Sequence, residues 1–137
     1  MAARRPDPDP SLAVRVAPYA LALPGAYEED AWTGLRWRVR GRTFAHVMAL
    51  HHADAVARLG AAPDAVVTVV RLRCVGPERA ALAAIGQPYL PADDDEVLSV
   101  VLGPDTDWEE VGELVTESWR VLAPARLVAE LDTGPGP

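Results

Sequence analysis

The chain has 137 residues, half of them hydrophobic, a length that suits one domain with a core of its own. Its formal net charge is −7 and all 13 basic residues are arginine, which opposes nonspecific attraction to DNA, RNA or anionic lipid, so a nucleic-acid site has to be a local basic patch. One cysteine, Cys74, excludes an intramolecular disulfide, and no stretch approaches the ~18 continuous apolar residues of a membrane helix.

Residues 1–10 are rich in Pro, Asp and Arg and read as a disordered lead-in without the apolar stretch of a signal peptide, which points to the cytoplasm. Ser11 can cap a first helix that carries Leu12, Val16, Ala20 and Leu23 at helical spacing; Pro18 interrupts it and Pro24-Gly25 ends it. Leu35, Trp37 and Val39 then alternate with Arg36, Arg38 and Arg40, and Gly41-Arg42 turns the chain into a return strand over residues 43–50. Residues 53–59 give a short helix closed by Gly60, and the valine-rich residues 66–72 give a strand. A helix starts near Pro77, with Ala80, Leu82, Ala83 and Ile85 as its apolar face and Gly86 as its stop. Residues 87–96 read as a polar, acidic connection to a strand over 97–102.

The last long helix opens with Thr106 and Glu109 in capping-box register. Trp108, Val111, Leu114, Val115, Ser118, Trp119 and Leu122 mark its inner face. Pro124 breaks it, Leu127, Val128 and Leu131 suggest a short terminal helix, and residues 133–137 form a disordered Gly/Pro tail. The expected fold is a single α+β domain over residues 11–132, a two-layer sandwich of an antiparallel sheet with helices packed on one face.

Arg36, Arg38 and Arg40 share a face by alternation, Arg42 lies at the turn, and Arg71 and Arg73 repeat the period on another strand. If both strands belong to one sheet, these arginines make a surface whose guanidinium forks can track phosphates. The alternative is a solvated sheet face whose charges block edge pairing. Trp32, near Tyr27 and Glu28, can stack a base or anchor a partner, or it can close the end of the core.

His46, His51, His52, Asp54 and Cys74 lack the spacing of a zinc site, and the acids at 28–30 and 93–96 lack the pattern of a calcium loop, so no metal or cofactor is expected. Cys74 reads as a structural cysteine. Ser118 lies outside a Gly-x-Ser-x-Gly context and reads as a small helix-packing contact. No nucleophile and base pair up, so no catalytic residue is assigned and the protein is expected not to be an enzyme.

Four segments together resemble the MmcQ/YjbR family of small bacterial proteins. They are Leu21-Ala22-Leu23-Pro24-Gly25-Ala26-Tyr27-Glu28-Glu29, similar to that family's Leu-Pro-Gly-x-x-Glu; the strand pair around Val39-Arg40-Gly41-Arg42-Thr43-Phe44-Ala45; Leu72-Arg73 followed by Pro77-Glu78-Arg79-Ala80-Ala81-Leu82; and Glu117-Ser118-Trp119, where the family usually has Ser-Tyr. The similarity spans about residues 12–131. It implies an α+β fold like that of secretion chaperones and frataxin, and the family's usual label of DNA-binding protein, with no catalytic residues. Where the family commonly has a basic and aromatic block with Lys and Trp, this chain has Ala92-Asp93-Asp94-Asp95-Glu96-Val97. The expectation is therefore a non-catalytic, monomeric protein that binds DNA through the arginine hairpin. The alternative is an adaptor for a protein or small ligand.

Overall fold

The computed structural model describes residues 6–31 and 33–134. Helix α1 (Pro10–Leu21) is capped by Asp9 in place of the expected Ser11: the Asp9 carboxylate accepts from the Ser11 backbone N–H at 2.9 Å, and Pro10 occupies the first turn, where a missing N–H costs nothing. The Asp9 N–H donates to Thr68 Oγ1 at 2.9 Å and Pro8 is buried, so the chain is tied to the sheet from just ahead of the helix. Residues 1–5 of the expected lead-in, and 135–137 of the expected tail, lie outside the described residues.

Six strands form one antiparallel sheet: β1 (Tyr27–Asp30), β2 (Leu35–Val39), β3 (Arg42–Ala49), β4 (Thr68–Arg73), β5 (Tyr89–Pro91) and β6 (Val97–Leu102), in the spatial order β1-β2-β3-β4-β6-β5. The four inner strands match the sequence reading. The two edge strands are additions to it. Their pairing is supplied by the backbones of β2 and β6, and neither carries an alternating apolar pattern of its own.

The helices α3 (Gly76–Ile85), α4 (Trp108–Leu122) and α5 (Ala125–Thr133) join α1 on one face of the sheet. There Trp37, Val39, Val47, Val70, Leu72 and Leu98 meet Val16, Val115, Trp119 and Leu127. The fifth helix, α2 (His52–Leu59), lies over the opposite face, which departs from the expectation of helices on one side. Its Ala55 is buried, its Arg58 guanidinium donates to the Pro91 carbonyl at 2.7 Å, and Met48, Val69, Leu90 and Ser99 are buried on that outer face.

The α4 N-cap is Asp107, whose carboxylate accepts from the Glu110 N–H at 3.2 Å, one residue later than the sequence reading. Thr106 instead accepts from the Gly103 N–H at 2.7 Å. Arg15 of α1 stacks over the Trp108 ring, 4.5 Å from its centroid, and covers the start of α4.

Two indoles dominate the core, and each is fully buried. Burying an aromatic of this size removes roughly 150–250 Å² from water, about 4–6 kcal/mol at roughly 25 cal/mol per Å². Each indole N–H therefore needs a partner. Trp37 donates to the Glu28 carboxylate at 3.0 Å, and Trp119 donates to the Pro24 carbonyl at 3.1 Å. Gly25, at φ +71°, follows Pro24 closely over α5: a Cβ there would lie 2.9 Å from Leu127 Cδ1. The Leu-Pro-Gly-x-x-Glu segment thus serves the core at both indoles.

The β2–β3 hairpin turns at Arg40-Gly41, not Gly41-Arg42. Both residues have positive φ, +51° and +77°, as a two-residue type I′ turn requires. One residue of β3 is unpaired: Trp37 faces Ala45 and Arg38 faces Thr43, which leaves Phe44 as a bulge. The β3–β4 ladder stops at the same place, after Ala45 and Leu72. The Ser118 hydroxyl fills the break, donating to the Phe44 carbonyl and accepting from the Arg73 N–H at 2.8 Å. Ser118 is more than a small packing contact: it ties α4 into the middle of the sheet.

Ser118→Ala is expected to lower stability by about 1–3 kcal/mol, because a buried carbonyl and a part-buried N–H lose this partner. Urea unfolding monitored by circular dichroism should show a lower midpoint with native secondary structure retained. An unchanged midpoint would show that the hydroxyl contributes nothing.

Candidate functional site

Strand alternation places Arg36 and Arg38 of β2 and Arg71 and Arg73 of β4 on the outer face, opposite the core. Arg36 pairs in register with His46, and His46 with Arg71, so a row of cationic and imidazole side chains crosses three strands. His46 also holds the Thr33 carbonyl at 2.8 Å. Arg40 leaves this face for the turn, and Arg42 opens β3; both are exposed.

The fold supplies its own anions to Arg36, Arg38 and Arg73 of this face. Glu29 of β1 sits beside Arg36 in register and takes its guanidinium in a close two-point contact, one of them 2.9 Å from Nε. Arg38 reaches the same carboxylate at 3.4 Å and donates to the Gly41 carbonyl, bracing the turn. Both arginines are half-buried, at 35% and 23% side-chain exposure. The Arg36 guanidinium, by its hydrogen bond, holds the Glu29 carboxyl below the ordinary value of 4.5; desolvation opposes this, and the charges of Arg36 and then Arg38 add to it.

Arg73 meets Glu96 at 3.5 Å and Asp94 at 3.9 Å. Those acids belong to the loop that departs from the family pattern, and a further arginine, Arg79 of α3, fixes that loop. Its guanidinium donates to the carbonyls of Ala92, Asp94 and Val97 at 3.0–3.1 Å. Arg79 lies within the Pro-Glu-Arg motif, but its role was not legible there, because carbonyl acceptors leave no trace in side-chain identity. Arg71 has no ion pair among the described residues, nor have Arg40 and Arg42.

Of the other candidates, Glu28 is engaged with the Trp37 indole, and Tyr27 stands exposed opposite Arg38 on the edge strand. Trp32 lies outside the described residues. The Cys74 thiol is buried, and burial, with the charge of Glu78 added, pushes its pKa up, away from thiolate chemistry. His51 caps α2 through Nδ1, accepting from the Ala53 N–H at 3.3 Å.

A second surface went unread in the sequence. Between α3 and α4 runs a groove of about 710 Å³, lined by Leu82, Ile85, Tyr89 and Leu114 and by six carboxylates. At the N-terminal end of α4 it meets a cavity of about 590 Å³ that shares Tyr89, Asp107, Glu110 and Leu114. Leu82 and Ile85 belong to the apolar face of α3 that the sequence predicts. No α3 residue is fully buried, and Ile85 is 66% exposed.

A family model described as YjbR matches residues 21–121. Among solved structures, a structural-genomics protein from Pseudomonas syringae is similar in fold, with a TM-score of 0.59 and 15% identity, over 77% of this chain and 94% of that one. No curated protein matches the chain.

Because the folded pKa of Glu29 lies below its unfolded value, its ionised form stabilises the fold above the unfolded pKa, and that contribution is lost as pH falls through the folded one. Glu29→Gln is expected to unfold at lower urea than the parent at pH 7, with the gap closing as pH falls below the ordinary carboxylate value of 4.5. A gap that persists unchanged at low pH would show that the charge of Glu29 is not what matters.

Proposed function

We propose, from the premise that the chain belongs to the YjbR family, that it acts as a non-catalytic module recognising another protein and not a nucleic acid. The observation that carries this reading is that Arg36, Arg38 and Arg73, three of the six candidate arginines, are already paired with carboxylates of the fold. Glu29 holds Arg36 and Arg38, and the 92–97 loop presents Asp94 and Glu96 to Arg73. A phosphate backbone would have to displace these carboxylates and approach a body of net charge −7. Two residues weighed as nucleophiles are engaged in the fold: Ser118 between Phe44 and Arg73, and Cys74 under burial. A free, buried cysteine is compatible with a reducing compartment such as the cytoplasm.

One observation favours the DNA reading as a second choice. Arg40 holds a positive φ at the hairpin tip, where Asn or Gly would be the unstrained residue, and it stands beside Arg42, which has no ion pair among the described residues. Such a tip could enter a groove of duplex DNA as a wing, with Arg71 behind it.

Fluorescence anisotropy with a labelled mixed-sequence duplex separates the two. The protein-binding reading expects no saturable binding at physiological salt, for the parent or for Arg40→Ala/Arg42→Ala. Micromolar binding by the parent that falls steeply with salt and disappears in the double variant would replace it with the DNA reading.

A further inference from the structure

Resting on that reading, we infer that the groove between α3 and α4 receives an amphipathic helix of a partner protein, apolar on the face it inserts and bearing Arg or Lys along its flanks. The groove has the two components such a helix needs. Its floor is apolar: Ile85 is open to solvent, Leu82 is partly covered by its neighbours, and Leu114 is buried at the base. Its rim is acidic throughout: Glu78, Asp107, Glu109, Glu110, Glu113 and Glu117 line it and no basic residue does. Among the described residues only Glu117 of these six has an ion pair, with Arg120 at 3.6 Å. On the arginine face Glu29, Asp94 and Glu96 supply counter-charges to three arginines, whereas here, among the described residues, five of six carboxylates have none.

The spacing of the carboxylates selects an extended cation over a metal ion. Glu110, Glu113 and Glu117 follow one another at three and four residues along α4, so they form a row about one helical turn apart, near 5 Å between successive members. Among the described residues no three His, Cys, Asp or Glu side chains are gathered as a metal ion requires. A helix laid along the groove presents its own side chains at the same three- and four-residue period, so its basic residues can meet this row while apolar residues on the adjacent face reach Leu82, Ile85 and Leu114. The length of α3, 10 residues, sets the contact at roughly 15 Å, about three turns of a partner helix. The cavity beyond Tyr89 gives one larger apolar side chain a place to anchor at the end of that run.

The probe is a fluorescein-labelled designed peptide of about 14 residues, with leucines at helical spacing and arginines on both flanks. A control peptide keeps the leucines and replaces each arginine with glutamate. Anisotropy is measured with the parent protein, with Ile85→Asp and with Glu110→Arg/Glu113→Arg; circular dichroism and urea unfolding of each variant confirm that the fold is kept. The arginine peptide is expected to bind the parent at least about tenfold more tightly than the glutamate peptide, and each variant to weaken it about tenfold or more. Equal binding of the two peptides, indifference to both variants, or no binding at about 100 μM would overturn the assignment. So would a dimer of the protein alone, seen by sedimentation and broken by Ile85→Asp, since a second copy would then be the occupant. Running the labelled duplex in the same assay keeps the two failures apart. Loss of the groove with no duplex binding leaves the protein-recognition reading standing, whereas duplex binding at physiological salt removes that reading itself.

Discussion

The Ser118 hydroxyl takes the place of a ladder hydrogen bond between β3 and β4, and much of the molecule is arranged around that substitution. Where Phe44 and Arg73 would pair directly, the side chain of a helix residue intervenes, donating to one and accepting from the other. The bulge at Phe44 lets both Phe44 and Ala45 enter the core, a departure from strict alternation that only an extra residue allows. The α4 helix is thereby pinned across the sheet, which fixes Trp119 against the Pro24 carbonyl and Val111 and Val115 against α1. At the same point β4 ends, and Arg73 is held where the acidic loop can reach it.

Three of the four segments that carry the family likeness hold residues that satisfy polar groups of the fold. Pro24 supplies a carbonyl to one indole, Glu28 a carboxylate to the other, Ser118 a hydroxyl to an interrupted ladder, and Arg79 a guanidinium to three loop carbonyls. An unmatched polar group in a core costs on the order of 1–3 kcal/mol, enough to account for residue types that no periodic pattern demands. The likeness therefore speaks to how the fold is built. Among the described residues, the charged groups left without an ion pair include five of the six carboxylates between α3 and α4, and Arg40 and Arg42 at the hairpin tip.

Elements whose side chains report their own environment were legible in the sequence. The alternation of Leu35, Trp37 and Val39 with arginines, the valines of β4, and the inner stripe of α4 from Val111 to Leu122 follow directly from burial on one side. The edge strands were not, because Tyr27–Asp30 and Tyr89–Pro91 are strands by virtue of their neighbours. The turn was misplaced by one residue because Arg is an uncommon choice at positive φ, and the α4 cap was misplaced by one because Thr106 and Asp107 can both cap. The arginines of the outer face were legible as a row, but their partners were not: Glu29 is seven residues from Arg36 across a strand pair, and Glu96 reaches Arg73 through a loop folded by Arg79. The groove was hidden for a similar reason. Ile85 completes an apolar pattern on α3 that would be core if α4 packed against it closely, and the acids facing it come from a helix that starts more than twenty residues later.

The central claim is that recognition belongs to the α3–α4 surface and that the arginine face is part of the structure. A nuclear magnetic resonance titration of the isotopically labelled protein tests it most directly, because it reports which backbone amides respond. With an arginine-bearing amphipathic peptide added, the account predicts shifts concentrated in Gly76–Ile85 and Trp108–Leu122, with Leu35–Val39 and Thr68–Arg73 unmoved. Shifts centred on the hairpin and β4, with α3 and α4 silent, would contradict it.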